Sequence, residues 1–199
     1  MVTIDLITGF LGSGKTTFLK KYAEYLMDQG LHIGILDMLM LHELRGDQCE
    51  LEMIAGGFDA ESHRRRFRTK LISMRMCGYD RVLVEPSGIY DVDEFFDVLR
   101  EEPLDQWYEI GNVIAILDAR LEDNLSEQAD YLLASEAANA GKVILSHADA
   151  ATREQCEDTV THLNRALEQI RCDRRIDLKK DILQKNLTDL TKEDLEEVS

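Results

Sequence analysis

The 199-residue sequence has two prolines and four cysteines, and no apolar run approaches the roughly 20 residues that a membrane-spanning helix needs. Its cysteines are far apart and none forms a C-x-x-C pair, which argues against a disulfide framework and against a zinc knuckle. The first residues lack the basic region of a secretory signal. We therefore expect a cytoplasmic protein that makes no use of a membrane.

Basic residues are also scarce: 23 Lys and Arg stand against 39 Asp and Glu, for a formal net charge of −16. A phosphate backbone repels such a surface, so the composition argues against a nucleic-acid partner. Fifteen of the acids and only two bases lie between Glu85 and Glu136, directly after a basic stretch from Arg64 to Arg81. This asymmetry indicates either two solvated helix faces or a surface that suits a complementary partner.

Short β-branched, apolar segments alternate with segments of helical periodicity from the first residue onward. Strands are predicted over 2–8, 32–37, 81–85, 112–118 and 142–145, and helices over 18–26, 59–77, 91–100, 126–139 and 152–170. Strands that are apolar at nearly every position are typical of a parallel sheet covered on both faces. The pattern therefore predicts an α/β fold, an open and mostly parallel sheet with helices on both faces. Residues 38–57 show neither pattern and are predicted to be a functional loop.

This length and pattern predict one domain over residues 1–171, followed by a highly charged appendage over 172–199. Within the appendage a short helix is expected from Asp177, and another that begins with Thr191 as N-cap and Asp194 three residues later. The pattern leaves open whether the appendage packs on the sheet.

The segment 9–16, GFLGSGKT, matches G-x-x-x-x-G-K-[ST] between a predicted strand and a predicted helix. Its glycines allow successive backbone N–H groups to turn toward a phosphate, Lys15 adds a positive charge, and the helix N-terminus adds its dipole. The hydroxyl of Thr16 is placed to bind magnesium. A glycine-rich turn without a ligand is the alternative, and it explains the pattern and its context less well.

Glu85 ends the apolar strand 81–85 and is followed by Pro86, Ser87 and Gly88. An acid at this position can hold a magnesium ion or its water shell, and Gly88 allows the backbone to approach a γ-phosphate. A glutamate in an exposed loop is the competing interpretation.

The last core strand is followed by Ser146, His147, Ala148 and Asp149, where GTPases carry Asn-Lys-x-Asp. Asp149 can accept hydrogen bonds from the guanine N1–H and N2–H groups, which adenine does not offer. His147 can stack on the base, whereas Ser146 makes fewer hydrogen bonds than asparagine. The alternative is that Asp149 only caps the helix near Thr152.

Together these segments resemble the CobW branch of the SIMIBI-class metal-handling GTPases. The resemblance rests on TGFLGSGKTT at 8–17, on EPSGI at 85–89 and on Asp149, and it covers about residues 2–170. It implies the SIMIBI type of P-loop NTPase fold, binding and slow hydrolysis of GTP with Mg²⁺, and a role in delivering metals or assisting metallocofactor (cobalamin-type) enzymes. It also implies a nucleotide-dependent homodimer.

Three features depart from this family. Its C-x-C-C element would fall near residues 54–58, where there is no cysteine, and Cys49, His42 and Glu43 offer only a weak alternative metal site. Its first-switch segment is replaced by DMLMLHE at 37–43, in which Asp37 is the candidate residue to contact magnesium or orient water. The family's C-terminal domain has no counterpart in these 199 residues.

We therefore predict a slow GTPase that acts as a switch, with a metalloprotein or cofactor enzyme as client. The predicted catalytic residues are Asp37, Lys15 and Glu85, and the predicted magnesium ligands are Thr16, Glu85 and Asp37. The predicted nucleotide-binding residues are Gly12, Ser13, Gly14, Lys15, Thr16, Thr17, Gly88, Ser146, His147 and Asp149. A nucleotide-dependent scaffold without hydrolysis, and an ATPase or small-molecule kinase that uses the arginines at 64–68, remain alternatives.

Overall fold

A computed structural model describes residues 1–10, 12–37, 49–53, 60–86, 92–121 and 124–199 of the chain. In these ranges seven parallel strands form one sheet, in the order β3-β2-β4-β1-β5-β6-β7. The strands are β1 (Val2–Thr8), β2 (Ile33–Asp37), β3 (Cys49–Met53), β4 (Arg81–Glu85), β5 (Tyr108–Asp118), β6 (Lys142–Ser146) and β7 (Ile182–Gln184). The helices are α1 (Lys15–Asp28), α2 (Ala60–Arg75), α3 (Val92–Leu99), α4 (Leu104–Trp107), α5 (Glu127–Asn139), α6 (Arg153–Gln169) and α7 (Lys192–Val198).

Helices cover both faces of the sheet, as the apolar strands require. Ile4 and Leu6 of β1 pack into the core beneath α2, α3, α5 and α6, whereas Ile7 packs into the core beneath α1 and α7. Alternate residues of one strand therefore enter opposite cores, which is why the strand shows no polar alternation. The predicted open parallel sheet with helices on both faces is confirmed.

Two strands lie where no strand was predicted. β3 falls inside the segment expected to be a loop, because its two glutamates interrupt the apolar run that marks a buried strand. It lies at the edge of the sheet and pairs with β2 alone among the described strands. β7 is three residues long and follows a turn where a helix from Asp177 was expected, so that expectation is wrong. A strand of three residues is too short to show the hydrophobic pattern by which strands are recognised in a sequence.

Residues 172–199 pack against the sheet and its core. Ile182 of β7 pairs with Val143 of β6, which adds a strand at the edge of the sheet. α7 begins at the predicted N-cap Thr191, whose side chain accepts from the backbone N–H of Asp194. Leu195 and other residues of this segment belong to the core beneath α1. No helix in the described ranges is both long and apolar enough to cross a bilayer.

The buried carboxylate of Asp5, in the middle of β1, connects three strands and a helix. Asp5 is 0 % exposed and accepts hydrogen bonds from Arg81 Nε at 2.6 Å and Nη2 at 3.1 Å, and from the backbone N–H of Asn112 at 2.7 Å. The hydroxyl of Tyr22 donates a fourth bond at 3.2 Å, and burial raises the pKa of Tyr22 to about 12, so this group stays protonated. Asp5 thereby fixes α1, β4 and β5 to the central strand β1.

Replacing Asp5 by Ala should lower the free energy of unfolding by about 3–5 kcal/mol, because the Arg81 guanidinium is then left without its buried partner. Urea unfolding followed by circular dichroism measures this loss. The matched control is Asp28→Ala, which removes the exposed ion pair of Asp28 with Lys192 at 2.8 Å and should cost less than about 1 kcal/mol. Equal losses in the two variants would contradict the role of Asp5.

Candidate functional site

The glycine-rich segment after β1 forms a loop whose backbone excludes side chains at several positions. Gly9, Gly12 and Gly14 have φ values of 140°, 82° and 98°, a region that L residues with a Cβ rarely adopt. A Cβ on Gly9 would collide with the carbonyl oxygen of Ile116 on β5, and a Cβ on Gly14 would collide with the side chain of Leu187. The glycines therefore permit a close approach of the backbone that no other residue permits.

Positive charge is concentrated at this loop. Lys15 is 3 % exposed, and its Nζ donates to the carbonyl oxygens of Gly9 at 2.7 Å and Phe10 at 3.0 Å. The same residue begins α1, whose first turn contains no acid and whose N-cap, Gly14, has no side-chain hydrogen bond. No acid of α1 itself therefore opposes the backbone dipoles at this end of the helix, which favours an anionic ligand.

The hydroxyl of Thr16 donates to Glu85 Oε1 at 2.8 Å, which joins the start of α1 to the end of β4. Glu85 is 1 % exposed, and it pairs in register with Asp37, the last residue of β2. The loop alternative for Glu85 is therefore wrong. Hydroxyl and carboxylate oxygens are the ligands that Mg²⁺ prefers, so this pair fits such an ion. The side chain of Asp37 lies outside the described part of the structure, as does the whole of Gly88.

The residues predicted to hold a base lie beside the same loop. The hydroxyl of Ser146 donates to the carbonyl oxygen of Leu117 at 3.0 Å. The Cβ of Ser146 lies 4.0 Å from the position that a Cβ on Gly14 would take, so Ser146 is next to the loop. His147 has a φ of 55°, and its Nδ1 lies 3.2 Å from Asp118 Oδ2. His147 therefore has a left-handed backbone conformation just after β6, and Asp149, two residues later, is exposed.

Asp149 does not cap the helix that follows it. Thr152 is the N-cap of α6 and forms a capping box with Gln155, so the alternative role of Asp149 is wrong. The exposed carboxylate of Asp149 instead accepts a hydrogen bond from Asn186 Nδ2 at 3.3 Å. The NH₂ group of Asn186 therefore already donates to the Asp149 carboxylate, the same acceptor that the N–H groups of a guanine would use.

Asn186 and Leu187 were missed by the sequence analysis. They belong to the segment after β7, and a short 3₁₀ helix, Leu187–Asp189, presses Leu187 against Gly14. Nothing local in the sequence signals this contact, since about 170 residues separate the two positions in the chain.

Asp118 was also missed, at the carboxyl end of β5. Burial opposes its ionisation, but hydrogen bonds from Arg120 and the charge of His147 together lower the pKa of the Asp118 carboxyl. The guanidinium of Arg120 donates to both carboxylate oxygens, from Nε at 3.0 Å and from Nη2 at 2.9 Å. Asp118 therefore stays anionic beside His147. A cavity of about 350 Å³ lies between Asp118 and Arg120 on one side and Gly12 and Ser13 of the glycine-rich loop on the other.

Glu136 is a further residue behind the glycine-rich loop that the sequence analysis did not single out. It lies on α5, is 1 % exposed, and accepts a hydrogen bond from Thr8 Oγ1 at 3.1 Å. Burial raises its pKa to about 7, against the opposing effects of Thr8, the charge of Lys15 and the backbone N–H of Gly9. A lone acid within the apolar run of α5 was the available signal.

In the described ranges, no three or more His, Cys, Asp or Glu side chains come together in a group that could hold a metal ion. His42, Glu43 and residues 54–58 lie outside those ranges, and the side chain of Cys49 is not described either. The weak alternative metal site formed by Cys49, His42 and Glu43 therefore stays a prediction from the sequence.

Comparison with known structures supports the fold. The Zn(II)-bound YjiA GTPase from E. coli superimposes with a TM-score of 0.55 at 22% identity, over 81% of this chain and 54% of that one. The LAO/AO transport system kinase superimposes with a TM-score of 0.62 at 18% identity, over 99% of this chain and 56% of that one. At these identities the likeness extends to the fold alone.

Sequence comparison identifies the family. The zinc chaperone YeiR of Escherichia coli (strain K12) is 27% identical over 165 residues, which cover 77% of this chain and 49% of YeiR. The chain thus spans about half the length of this curated relative. Residues 3–176 match the family described as CobW/HypB/UreG, nucleotide-binding domain. The glycine-rich loop, Lys15 and the Thr16–Glu85 pair lie within that match, and the chain belongs to the CobW/HypB/UreG nucleotide-binding family.

Proposed function

We propose that this chain binds GTP together with Mg²⁺, hydrolyses it slowly, and acts as a nucleotide switch in the handling of a metal or a metallocofactor. The observation that carries the proposal is the hydrogen bond of 2.8 Å from Thr16 to buried Glu85, at the end of a loop that only glycines can form. It brings two oxygen ligands for a divalent cation beside an anion-binding helix terminus.

The triphosphate would lie in the loop, held by residues 12–17. The backbone N–H groups at the start of α1 would bind the phosphate oxygens. Lys15 Nζ, now bonded to the carbonyl oxygens of Gly9 and Phe10, is close enough to the loop to turn toward a phosphate oxygen. Because phosphoryl transfer requires mainly positioning and neutralisation of charge, these groups are suited to such a reaction.

Magnesium would be held by Thr16 and Glu85, with Asp37 as the third predicted ligand or as the residue that orients water. When bound, the ion would neutralise charge on the phosphates. In the structure the hydroxyl hydrogen of Thr16 is directed to Glu85, which leaves the lone pairs of Thr16 Oγ1 to coordinate a cation. Glu85 thereby positions the threonine oxygen as well as offering its own.

Guanine would be recognised by Asp149. Its carboxylate would accept the N1–H and N2–H hydrogens of the base, in place of the hydrogen bond that Asn186 Nδ2 now donates. His147 would lie against the face of the base, held by its contact with Asp118. Adenine offers no pair of donors in this arrangement, so the site should prefer guanine nucleotides.

The client is proposed to be a metalloprotein or a cofactor enzyme, of cobalamin type or another, because the chain belongs to the CobW/HypB/UreG family and YeiR is named a zinc chaperone. Residues 38–57, which the sequence predicted to be a loop, contain β3. The part of this segment before β3 follows Asp37 directly and would be what a partner reads when the nucleotide changes. A nucleotide-dependent homodimer is proposed on the same family basis.

Thr16→Ala should reduce the affinity for GTP in the presence of Mg²⁺ by about tenfold to a hundredfold, because it removes a magnesium ligand. Calorimetric titration with GTP, with Mg²⁺ and with a chelator, measures the effect. The loss should disappear in the chelator. The control is Thr69→Ala, an exposed threonine of α2 whose hydroxyl bonds only locally, to Arg65 O. An equal loss with and without Mg²⁺ would refute the metal role.

A single-turnover GTP assay on the wild type distinguishes a switch that hydrolyses GTP from a scaffold that binds GTP without hydrolysing it. Phosphate release above the uncatalysed rate supports the hydrolase, and intact GTP binding with no such release overturns it.

Asp149→Asn should weaken GTP binding by about tenfold to a hundredfold and improve binding of xanthosine triphosphate, whose C2 carbonyl can accept from the new amide. Competition titrations with GTP, XTP and ATP measure the preference. Asp158→Asn, at an exposed position of α6, is the control and should change none of the three affinities. Tighter binding of ATP than of GTP by the wild type would overturn the guanine assignment and favour the kinase alternative.

A further inference from the structure

Glu136 is a buried carboxylate behind the glycine-rich loop, residues 9–16, which is called the phosphate loop from here on. It has no role in the proposed binding and hydrolysis of GTP. It lies in the middle of α5, among the buried residues Leu133, Ala134 and Ala137. Its Oε2 atom is buried and accepts no hydrogen bond from the residues that the structure describes. A carboxylate in such surroundings is costly to keep ionised, so its charge depends strongly on the few groups that face it.

Those groups belong to the start of the phosphate loop. Thr8, the last residue of β1, donates its hydroxyl hydrogen to Oε1 at 3.1 Å, and the backbone N–H of Gly9 also favours the ionised form. The carbonyl oxygen of Gly9 accepts from Lys15 Nζ at 2.7 Å. One peptide segment thus lies between the carboxylate of Glu136 on one side and the ammonium of Lys15 on the other.

Among the described residues, the charge that acts on Glu136 is that of Lys15. Burial and this charge oppose each other, and the resulting pKa of about 7 allows Glu136 to change its protonation near neutral pH. Other charged side chains on or near α5 form pairs of their own: Asp130 of α5 with His162 of α6, Asp118 of β5 with Arg120, and Asp97 of α3 with Arg100. Glu94 of α3 acts electrostatically on His63 and Arg64.

We propose that Glu136 is a positioning residue that couples occupancy of the phosphate loop to the uptake of a proton from solvent. The inference rests on the proposed function, since it requires a nucleotide in the loop. A bound triphosphate would draw the Lys15 ammonium away from the Gly9 carbonyl and would add negative charge beside it. The field that keeps Glu136 ionised would then be lost, and the carboxylate would become a neutral acid that still accepts from Thr8.

The direction of the pH dependence follows from this linkage. Below about pH 7 Glu136 is protonated with or without a ligand, so nucleotide affinity does not depend on it. Above that pH the ligand-free protein has lost the proton and must take it up again to bind. Affinity should therefore fall as the pH rises, until the pH also exceeds the pKa of Glu136 in the complex.

The experiment is calorimetric titration of the full chain with GTP and Mg²⁺ at pH 6.5, 7.5 and 8.5, in two buffers of different ionisation enthalpy. The proteins are the wild type, Glu136→Gln and the control Glu127→Gln, which changes an exposed acid on the same helix. Wild type and control should take up a proton at pH 7.5, and their affinities should fall about threefold to tenfold from pH 6.5 to 8.5 relative to Glu136→Gln. Equal proton uptake in all three proteins would overturn the proposal.

Thr8→Val provides a second test that leaves the acid in place. It removes a hydrogen bond that stabilises the charged form, so the fall in affinity should begin at a higher pH than in the wild type. If Thr8 only filled space beside Glu136, GTP affinity would fall over the same pH range in Thr8→Val as in the wild type. That result would also overturn the proposal. This variant decides the question if Glu136→Gln does not fold.

Failure of the inference and failure of the proposed function give different results. GTP binding with the same proton uptake in wild type and Glu136→Gln overturns the role of Glu136 and leaves the function intact. Absence of GTP binding overturns the function, and the same titrations with ATP or pyrophosphate then decide whether proton uptake accompanies occupation of the loop.

Discussion

The parallel pairing of β1 between β4 and β5 is the constraint on which the rest of the structure depends. Because neighbouring strands run in the same direction, their carboxyl ends meet at one edge, and residues distant in sequence arrive there together. Thr16 can reach Glu85 only because β1 and β4 end side by side. Asp5, in the middle of β1, joins the same three strands through its hydrogen bonds with Arg81 of β4 and Asn112 of β5.

The sequence predicted correctly those parts of the structure that are determined by a few neighbouring residues. The glycine-rich loop, its Lys15 and the apolar strands are each defined within a few residues, so their positions follow from spacing and hydropathy. It missed β3, β7, Leu187 and Asn186 because these elements are set by pairing and packing across the chain rather than by their own composition. The acid Glu136 within the apolar second half of α5 was visible in the sequence, but its contact with Thr8 could not be predicted from it.

The buried carboxylates of Asp5 and Glu136 differ in how fully their surroundings compensate a negative charge. Asp5 accepts four hydrogen bonds, two of them from a guanidinium, so its charge is fully compensated. In the described part of the chain, the ionised form of Glu136 is favoured only by the hydroxyl of Thr8, the backbone N–H of Gly9 and the charge of Lys15, and burial opposes them. The two buried acids thus differ in how many donors each receives, and of the two only Asp5 has a guanidinium partner among the described residues.

Both ends of α1 are held by the same C-terminal segment. Leu187 packs against Gly14 at the first turn, and Lys192 forms an ion pair with Asp28 at the last residue of the helix. Leu195 and Val198 belong to the apolar core shared with the helix between these two points. The helix that carries Lys15 and Thr16 therefore cannot slide or rotate without moving residues 187–198. The C-terminal segment and the first turn of α1 are therefore packed as one unit, so that a displacement of Leu187 would be felt at Gly14, where α1 begins.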